Sequence, residues 1–483
     1  DRTGENRGLS HLVVLCKNLA GWYELVKLVS MSNRKENMYY KPRVDYDMLK
    51  KYLGNGNHIA ISGHPGSTLA DSILGSDSYD AVDVDSARKC LPQNWKELAT
   101  NCIDKHCDIF GAENFFVEIQ LIDRQRLHMA EILAECFREI VKESNGKYRP
   151  VATADSHYVR KSDAIYQRIL LCSSLHLTLP EVEYKIKSGK DIPLKGFFVS
   201  DNYHIPEFHE MEANHTVEEL SNSILITEMC ENYNILSAPK FPKFECPGGK
   251  KEIEYLKELC EEGFKKLDKD KDPIVYRERL ELELKVIEEA NLSGYFLIVW
   301  DIINFLRENN KMTPLGRGSA AGCLVSYLTG IVGIDPIEHD LMFERFYNAS
   351  RAGSLPDIDI DVPSEFRDEV IEYIKKKYGE KHVCQMATFG SLMGRSAVKE
   401  VLRVEGELGF AEINEMTEHI PDESEIADEL ENMEDKSIIL WSLQNRPKKF
   451  ERWCTLNEDG TLGGPYAESF GRAMKMEGTY KSQ

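Results

Sequence analysis

Residues 353–363 read GSLPDIDIDVP and place Asp357, Asp359 and Asp361 at alternate positions, with isoleucine between them and proline at both ends. Side chains two residues apart on a strand face the same way, so Asp359 and Asp361 are expected to project side by side. Two like charges about 4 Å apart repel by roughly 4 kcal/mol at an effective dielectric of 20. A half-buried strand can keep both acids ionised if cations lie between them, and Mg²⁺ prefers such oxygen ligands.

A pair of carboxylates can bridge two divalent ions, which is the arrangement used for in-line phosphoryl transfer. The same pattern also fits an exposed edge strand whose acidic side chains face water. A calcium loop is disfavoured, because such loops use Gly and Asn rather than β-branched residues between their ligands. The motif therefore predicts either a two-metal site or a solvated strand edge.

Residues 315–330, LGRGSAAGCLVSYLTG, form the second motif. Gly316 and Gly318 allow the backbone to turn its N–H groups outward, and Ser319 is a natural N-cap for a helix that begins at the next residue. A helix start preceded by glycines favours anions, and Arg317 adds a positive charge. A simple tight turn is the alternative. The candidate triphosphate-binding residues are Gly316, Arg317, Gly318, Ser319 and Arg351.

The composition is that of a globular protein with two or three domains: 483 residues, 42% hydrophobic and 29% charged. A net charge of −21 argues against a nucleic-acid partner unless basic residues cluster locally. The twelve cysteines include no CxxC pair, which fits a reducing cytosol rather than a zinc site. No apolar run is long enough for a membrane span, and no leader is visible, so we expect a cytoplasmic protein. The missing initiator Met and the final EGTYKSQ lead us to expect truncation at both ends.

The organisation along the chain changes twice. Residues 1–237 predict a mixed α/β domain, because the apolar stretches HLVVLC, HIAISG, FFVEIQ and RPVATA alternate with helical patterns. Residues 238–250, APKFPKFECPGGK, are typical of a linker. Helical patterns follow, and they become acidic beyond about residue 400.

Five blocks occur in order between residues 280 and 403. They are GYFLIVWDIINFL, GRGSAAGCLVSY, IDPIEHDLMFERFYN, SLPDIDIDVP and FRDEVIEYIKKKYGEKHVCQMATFGSL. They closely resemble the palm of the bacterial C-family replicases, the DNA polymerase III alpha subunit family. The resemblance implies that Asp359 and Asp361 bind two catalytic Mg²⁺ ions and that Gly318 and Ser319 contact the incoming triphosphate. Asp357 would support the strand locally. One departure is visible, since the family usually has Gly-Pro where residues 314–315 are Pro-Leu.

The resemblance implies an α/β and α+β multidomain fold. Residues 1–237 would be an N-terminally incomplete PHP domain, an α/β barrel-like fold. Residues 238–400 would be a mixed-sheet, nucleotidyltransferase-like palm with its catalytic strand at 355–362, and residues 401–483 a partial, helical thumb. The third catalytic Asp and the fingers are expected downstream, so this segment alone is expected to be inactive.

In the PHP domain of the family, a cluster of His, Asp and Cys ligands holds metal ions, which implies Zn²⁺ or Mn²⁺. The positions that match are His11, His64, Asp155 and His157, with His64 at a position that is often Cys. Each histidine taken singly also fits a structural or surface role. Several further ligands are expected before residue 1, so these four residues cannot complete the site.

A thumb contacts the phosphate backbone of DNA, which points to the basic stretch RPKKFERW at 446–453. A solvated helix end is the alternative interpretation. The cluster contains Lys448, Lys449 and Arg452, with Phe450 and Trp453 interleaved.

The function implied by the resemblance is template-directed DNA synthesis from deoxynucleoside triphosphates on a primer-template. A sliding clamp and other replisome subunits are the implied partners, with no membrane. Two alternatives stay open: a PHP metal-dependent phosphoesterase or 3′–5′ exonuclease, and a non-catalytic DNA-binding scaffold. The departure at Pro314 and the stretches GELGFAEINEM and RPKKFERW suggest a divergent or phage-borne copy.

Overall fold

The structure is a computed structural model, in which two compact units are distinguished: residues 1–236 together with 389–483, and residues 237–388. The predicted domain boundaries after residues 237 and 400 stay predictions. The structure describes residues 9–39, 41–63, 65–74, 83–121, 123, 128–237, 242–311, 316–348, 356–386 and 388–481.

The amino-terminal part of the first unit is built on a four-stranded sheet in the order β1-β4-β5-β6. The four apolar stretches predicted to be strands form these four strands, which confirms the mixed α/β class. The strands are β1 (Val13–Cys16), β2 (Met38–Tyr39), β3 (Lys41–Pro42), β4 (His58–Ile61), β5 (Phe115–Gln120) and β6 (Arg149–Thr153). The helices are α1 (Leu19–Ser32), α2 (Tyr46–Leu53), α3 (Thr68–Asp71), α4 (Val84–Lys89), α5 (Trp95–Phe110), α6 (His128–Glu143), α7 (Ala164–Leu175), α8 (Leu179–Lys187), α9 (Lys195–Val199), α10 (Phe208–Glu212) and α11 (Val217–Glu228).

Both faces of this sheet are covered. β1 runs antiparallel to β4, whereas β4, β5 and β6 are parallel. Parallel strands buried on both faces have nearly continuous apolar sequences, as β4 and β5 do. Phe115 and Val117 pack into a core with α5 and α6, while Phe116 packs with Ile226 of α11. The alternation of side chains along β5 therefore decides which helix layer each residue contacts.

The regular elements that the structure describes in the second unit are helices and 3-10 turns, joined by non-helical segments. Its core combines side chains from four of its helices with the segment around Ile358. The expected mixed sheet of the palm is not seen, because no residue in 242–311, 316–348 or 356–386 belongs to a strand. Its helices are α12 (Glu252–Phe264), α13 (Pro273–Glu289), α14 (Ser293–Glu308), α15 (Leu324–Leu328) and α16 (Arg367–Tyr378).

The carboxyl-terminal part of the first unit is a helical layer around α17, which packs against α7, α8 and α22. This agrees with the helical pattern predicted beyond residue 400. Among the residues described, every helix is too short or too polar to cross a membrane. The elements are β7 (Gly390–Ser391), α17 (Gly394–Glu405), α18 (Phe410–Thr417), α19 (Ala427–Glu431), α20 (Ile438–Asn445), α21 (Pro447–Phe450), β8 (Thr455–Leu456), β9 (Leu462–Gly463), α22 (Ala467–Met476) and β10 (Tyr480–Lys481).

Candidate active site and metal-binding residues

The acidic segment at 356–363 is extended but pairs with no other strand among the described residues, so the expected catalytic strand is not a ladder strand. Its side chains still alternate: Ile358 is buried, whereas Asp359 and Asp361 are exposed. A strand backbone needs partners for its N–H and C=O groups. Here the N–H of Ile358 donates to the hydroxyl of Tyr295 on α14 over 3.1 Å, so a side chain replaces one ladder bond.

Tyr295 is a site residue that the reasoning from single motifs did not identify, although it lies in the block GYFLIVWDIINFL. Burial raises its pKa, and the nearby charges of Asp357 and Asp359 raise it further, against the hydrogen bond from Ile358. The hydroxyl therefore stays protonated near neutral pH and can hold the acidic segment in place.

The glycine turn lies directly beside these acids. Gly318 has φ +64° and ψ −157°, a conformation that favours glycine, and Gly316 has φ +132°. A Cβ atom added to Gly318 would lie 2.8 Å from Oδ2 of Asp359. The positive φ favours glycine at this position, and an added side chain would displace the Asp359 carboxylate from its present place.

The expected helix beginning at Ala320, with Ser319 as its N-cap, is wrong. Ser319 begins a 3-10 turn that ends at Gly322, and the helix α15 begins only at Leu324. Gly318, and not Ser319, occupies the cap position of this turn. The tighter turn bonds residue i to i+3, so the helix starts later than the glycine-serine pattern indicates.

The side chain of Arg317 contacts both acids. Its Nη1 donates to Oδ1 of Asp361 over 2.8 Å, and its Nε lies 3.9 Å from Oδ2 of Asp359. The bond to Asp361, and then the charges of Asp361 and Asp359, raise the pKa of Arg317. One guanidinium contacts both carboxylates, so the two acids face the same positive group. Their carboxylate oxygens are ligands that Mg²⁺ prefers, and this arrangement fits a divalent-metal site.

The backbone after the turn is held by a buried ion pair on α13. Glu283 is fully buried, and it accepts hydrogen bonds from Nε of Arg279 at 2.6 Å and from the N–H of Val325 at 3.0 Å. Nη2 of Arg279 donates to the carbonyls of Gly322 and Leu341, at 3.0 and 3.2 Å. Burial raises the pKa of Glu283, against the hydrogen bonds from the backbone and Arg279. This pair fixes the segment that follows the glycine turn.

Gly318→Ala is expected to disturb the acidic segment locally, because the added methyl group meets Oδ2 of Asp359 and the residue keeps a positive φ. The strain from such a φ costs on the order of 1–2 kcal/mol. We expect Mn²⁺ binding that depends on Asp359 to weaken by about tenfold, as measured by electron paramagnetic resonance of free Mn²⁺. Gly390→Ala, where an added Cβ meets nothing within 4 Å, is the control and should bind as the wild type does. Unchanged Mn²⁺ affinity in Gly318→Ala would contradict the contact.

The candidate PHP residues are only partly brought together. Nε2 of His157 lies 3.0 Å from Oδ1 of Asp155, and the backbone of His11 lies against Gly63, where an added Cβ would be 2.7 Å from the His11 carbonyl oxygen. His64 lies outside the described residues, as do Arg351 and residue 355. Among the described residues, no group of three or more His, Cys, Asp or Glu side chains is close enough to hold a metal ion.

Glu118 on β5 is a further candidate that the sequence reasoning missed. It is buried, its Oε1 accepts a hydrogen bond from Thr153, and its Oε2 finds no hydrogen-bond partner among the residues that the structure describes. Burial raises its pKa, and the charge of Asp155 adds to this effect. An acid at an inward position of the apolar strand FFVEIQ was the available signal, since buried acids are rare without a partner or a metal.

In the basic stretch at 446–453, the structure differs from the expectation that Phe450 and Trp453 lie beside the basic residues at a DNA-contacting surface. Phe450 is fully buried and packs edge to face with Phe470, 6.2 Å between ring centroids, and Trp453 is half-buried against the same core. Phe450 is therefore a core residue with no exposed ring face, and Trp453 packs part of its ring against the same core. Lys448 and Lys449 are exposed, and Arg452 pairs with Glu415 at 3.2 Å on the surface.

Two family models match the chain: the PHP domain over residues 3–121 and the bacterial DNA polymerase III alpha NTPase domain over residues 254–461. The DNA polymerase III subunit alpha of Borreliella burgdorferi is 36% identical over 417 residues, covering 85% of this chain and 33% of that protein. Those of Aquifex aeolicus and Bacillus subtilis are 32% and 34% identical, covering 85% and 82% of this chain and 33% and 32% of those proteins. The chain thus spans about a third of the length of these curated relatives. This chain belongs to the family of the bacterial DNA polymerase III alpha subunit.

Proposed function

We propose that this chain carries the nucleotidyl-transfer site of a replicative DNA-directed DNA polymerase. The observation that carries the proposal is the meeting of Asp359, Asp361 and Arg317 beside a turn that requires glycine at position 318. Membership of the family supports DNA and deoxynucleoside triphosphates as the substrates. In the reaction, the primer 3′-hydroxyl attacks the α-phosphorus and pyrophosphate leaves.

Asp359 and Asp361 would hold two Mg²⁺ ions, which when bound activate the hydroxyl and neutralise the charge on the triphosphate. The chain's own residues do the positioning. Gly316, Gly318 and Ser319 would offer backbone N–H groups and a hydroxyl to phosphate oxygens, and Arg317, with Arg351, would pair with their charge. Tyr295 on α14 and the Arg279–Glu283 pair on α13 keep the acids and the turn in register. Catalysis of this kind consists of positioning and charge neutralisation.

The test of this function is primer extension by the full-length protein that carries this sequence, on templates of different sequence. We expect incorporation of the complementary deoxynucleotide only, and loss of incorporation when the divalent ions are chelated. Incorporation that ignores the template would contradict the assignment, as would the absence of incorporation alongside intact DNA binding.

We propose a division into a PHP domain at 1–237, a palm at 238–400 and a partial thumb at 401–483. The thumb residues Lys448, Lys449 and Arg452 would contact the phosphate backbone of primer-template DNA. A sliding clamp and other replisome subunits are the proposed partners, and the cytoplasm is the proposed compartment. Family membership supports these assignments.

Lys448→Ala with Lys449→Ala is expected to weaken DNA binding uniformly across sequences. Each phosphate contact contributes about 0.9 to the steepness of the plot of log K against log salt concentration. The slope measured for the double variant should therefore be shallower by about 1.8. The measurement is fluorescence anisotropy of a labelled primer-template over a range of salt concentrations. Lys187→Ala with Lys190→Ala removes the same charge from exposed positions at and after the end of α8 and should leave the slope unchanged. Equal slopes in both double variants would contradict a DNA contact at α21.

A second candidate function is a metal-dependent phosphoesterase in residues 1–237, with Zn²⁺ or Mn²⁺. Its supporting observation is the buried carboxyl group of Glu118, whose Oε2 has no hydrogen-bond partner among the described residues, on a strand next to the one that leads to Asp155 and His157. Release of nucleotides from a DNA 3′ end by a protein that lacks Asp359 and Asp361, and its loss on Glu118→Gln, would support this activity. No such release would contradict it.

A further inference from the structure

Arg317 already occupies the space in which the proposed function requires cations. Its guanidinium donates to Asp361 at 2.8 Å and approaches Asp359 at 3.9 Å. Among the described residues, these two acids are its only ion-pair partners. A positive group therefore neutralises the acids before any metal ion is present.

The Arg317 side chain can leave this position at little structural cost. It is 60% exposed, and the two acids are 43% and 57% exposed, so no packed core holds the contact. Exposed ion pairs of this kind are weak and exchange readily with solvent and ions. The residues on both sides, Gly316 and Gly318, lack side chains that would fix the position of the arginine.

The same arginine is in the turn that would bind the triphosphate. A guanidinium matches phosphate oxygens as well as carboxylate oxygens, because its planar fork donates two parallel hydrogen bonds to either. Arg317 thus has two possible anionic partners in one site. Divalent ions and Arg317 compete for the two carboxylates. A triphosphate has enough oxygens to bind divalent ions and the guanidinium at the same time.

We propose that Arg317 is an exchangeable counter-ion that couples metal binding to triphosphate binding. It neutralises Asp359 and Asp361 in the empty site, and it moves to the triphosphate when divalent ions take the acids. Metal ions therefore bind weakly to the empty site, and the triphosphate strengthens their binding by giving the arginine another partner. This inference rests on the proposed function and adds a regulation of the same site.

The first experiment measures Mn²⁺ binding by electron paramagnetic resonance, in the absence of nucleotide. The relevant Mn²⁺ binding is the part that disappears when Asp359→Asn and Asp361→Asn are introduced together. Subtracting the binding that remains in this double variant removes any contribution from residues 1–237. We expect Arg317→Gln to bind this Mn²⁺ at least about fivefold more tightly than the wild type. Arg317→Lys retains the charge and should gain less. Arg277→Gln, which breaks a surface pair with Glu261, is the control and should gain nothing.

The second experiment measures binding of tripolyphosphate by calorimetry with all divalent ions chelated. Asp359→Asn with Asp361→Asn releases the arginine, so tripolyphosphate should bind at least about fivefold more tightly than to the wild type. Adding Arg317→Gln to this double variant should abolish the gain. A gain that survives in the triple variant would come from the lost negative charge alone and would overturn the exchange.

The two proposals fail in different ways. Equal Mn²⁺ affinity of the wild type and Arg317→Gln, with binding that still depends on the acids, overturns the exchange and leaves the metal-holding role of the acids intact. Absence of any acid-dependent Mn²⁺ binding in the wild type and in Arg317→Gln overturns the proposed function, and the exchange with it.

Discussion

Asp359→Asn or Asp361→Asn, in the full-length protein that carries this sequence, is expected to slow primer extension at least about a thousand-fold, equivalent to about 4 kcal/mol of activation free energy. The amide keeps the size of the side chain but removes the charge that holds the divalent ions. Single-turnover extension of a labelled primer measures the effect directly. DNA affinity should change little, because the proposed phosphate contacts lie on other residues.

The neighbouring acid provides the matched control. Asp357 lies two residues before Asp359 and is also exposed, but no ion pair joins it to Arg317 in the described structure. Asp357→Asn removes the same charge from the same segment and should reduce the rate by less than about tenfold. Near-normal extension by either Asp359→Asn or Asp361→Asn, or an equal loss in all three variants, would contradict the assignment of the two metal-holding acids.

Glu219→Gln is expected to lower the free energy of unfolding by about 3 kcal/mol near neutral pH, because it breaks a buried ion pair. Glu219 on α11 is 1% exposed and accepts two hydrogen bonds from Arg138 of α6, at 2.6 and 2.8 Å. Nδ1 of His215 lies 3.1 Å from the same carboxylate. The variant leaves the guanidinium without its charged partner. Urea denaturation followed by circular dichroism measures the loss.

The pH dependence provides an independent test of the same pair. Burial by itself raises the pKa of Glu219, but the hydrogen bonds from Arg138, His215 and the Thr216 backbone outweigh it and lower the pKa from 4.5 to about 2. A lowered folded-state pKa stabilises the protein above the unfolded value, and this stabilisation is lost as the pH falls through the folded value. The stability difference between the wild type and Glu219→Gln should therefore narrow as the pH falls from 4.5 to about 2.

Glu183→Gln is the control for both measurements. Glu183 pairs with Lys187 at 3.3 Å on the exposed face of α8, and both side chains are mostly in solvent. Exposed pairs of this kind contribute little to stability. A difference between the wild type and Glu219→Gln that stays constant down to pH 2 would contradict the role assigned to the Arg138–Glu219 pair.

Local sequence was sufficient to predict the strands of the amino-terminal sheet and the common direction of the two acids. The four apolar stretches became β1, β4, β5 and β6 because continuous apolar side chains suit strands covered on both faces. Asp359 and Asp361 share the exposed side of their segment because an extended backbone alternates its side chains, whether or not it pairs in a ladder. Both predictions succeeded because side chains on an extended backbone alternate in direction every residue, which a short stretch of sequence reveals.

Sequence patterns did not identify the burial of residues whose surroundings come from distant parts of the chain. Glu283 follows Arg279 at the spacing of an ordinary surface pair on a helix, yet it is fully buried because α15 and its preceding turn cover it. Phe450 stands between basic residues and was expected near DNA, but Phe470 of α22 packs against its ring. Glu118 likewise owes its burial to neighbouring strands rather than to its own sequence.

The sequence alone determined that two acids would face one side of an extended segment and that a glycine turn with an arginine would precede them. Only the tertiary structure decided that the turn and the acids meet, with Arg317 bonded to Asp361 across 44 residues of chain. Backbone geometry sets the direction of side chains over a few residues. Contacts across such a distance depend on how the helices of the core pack, which no local pattern encodes.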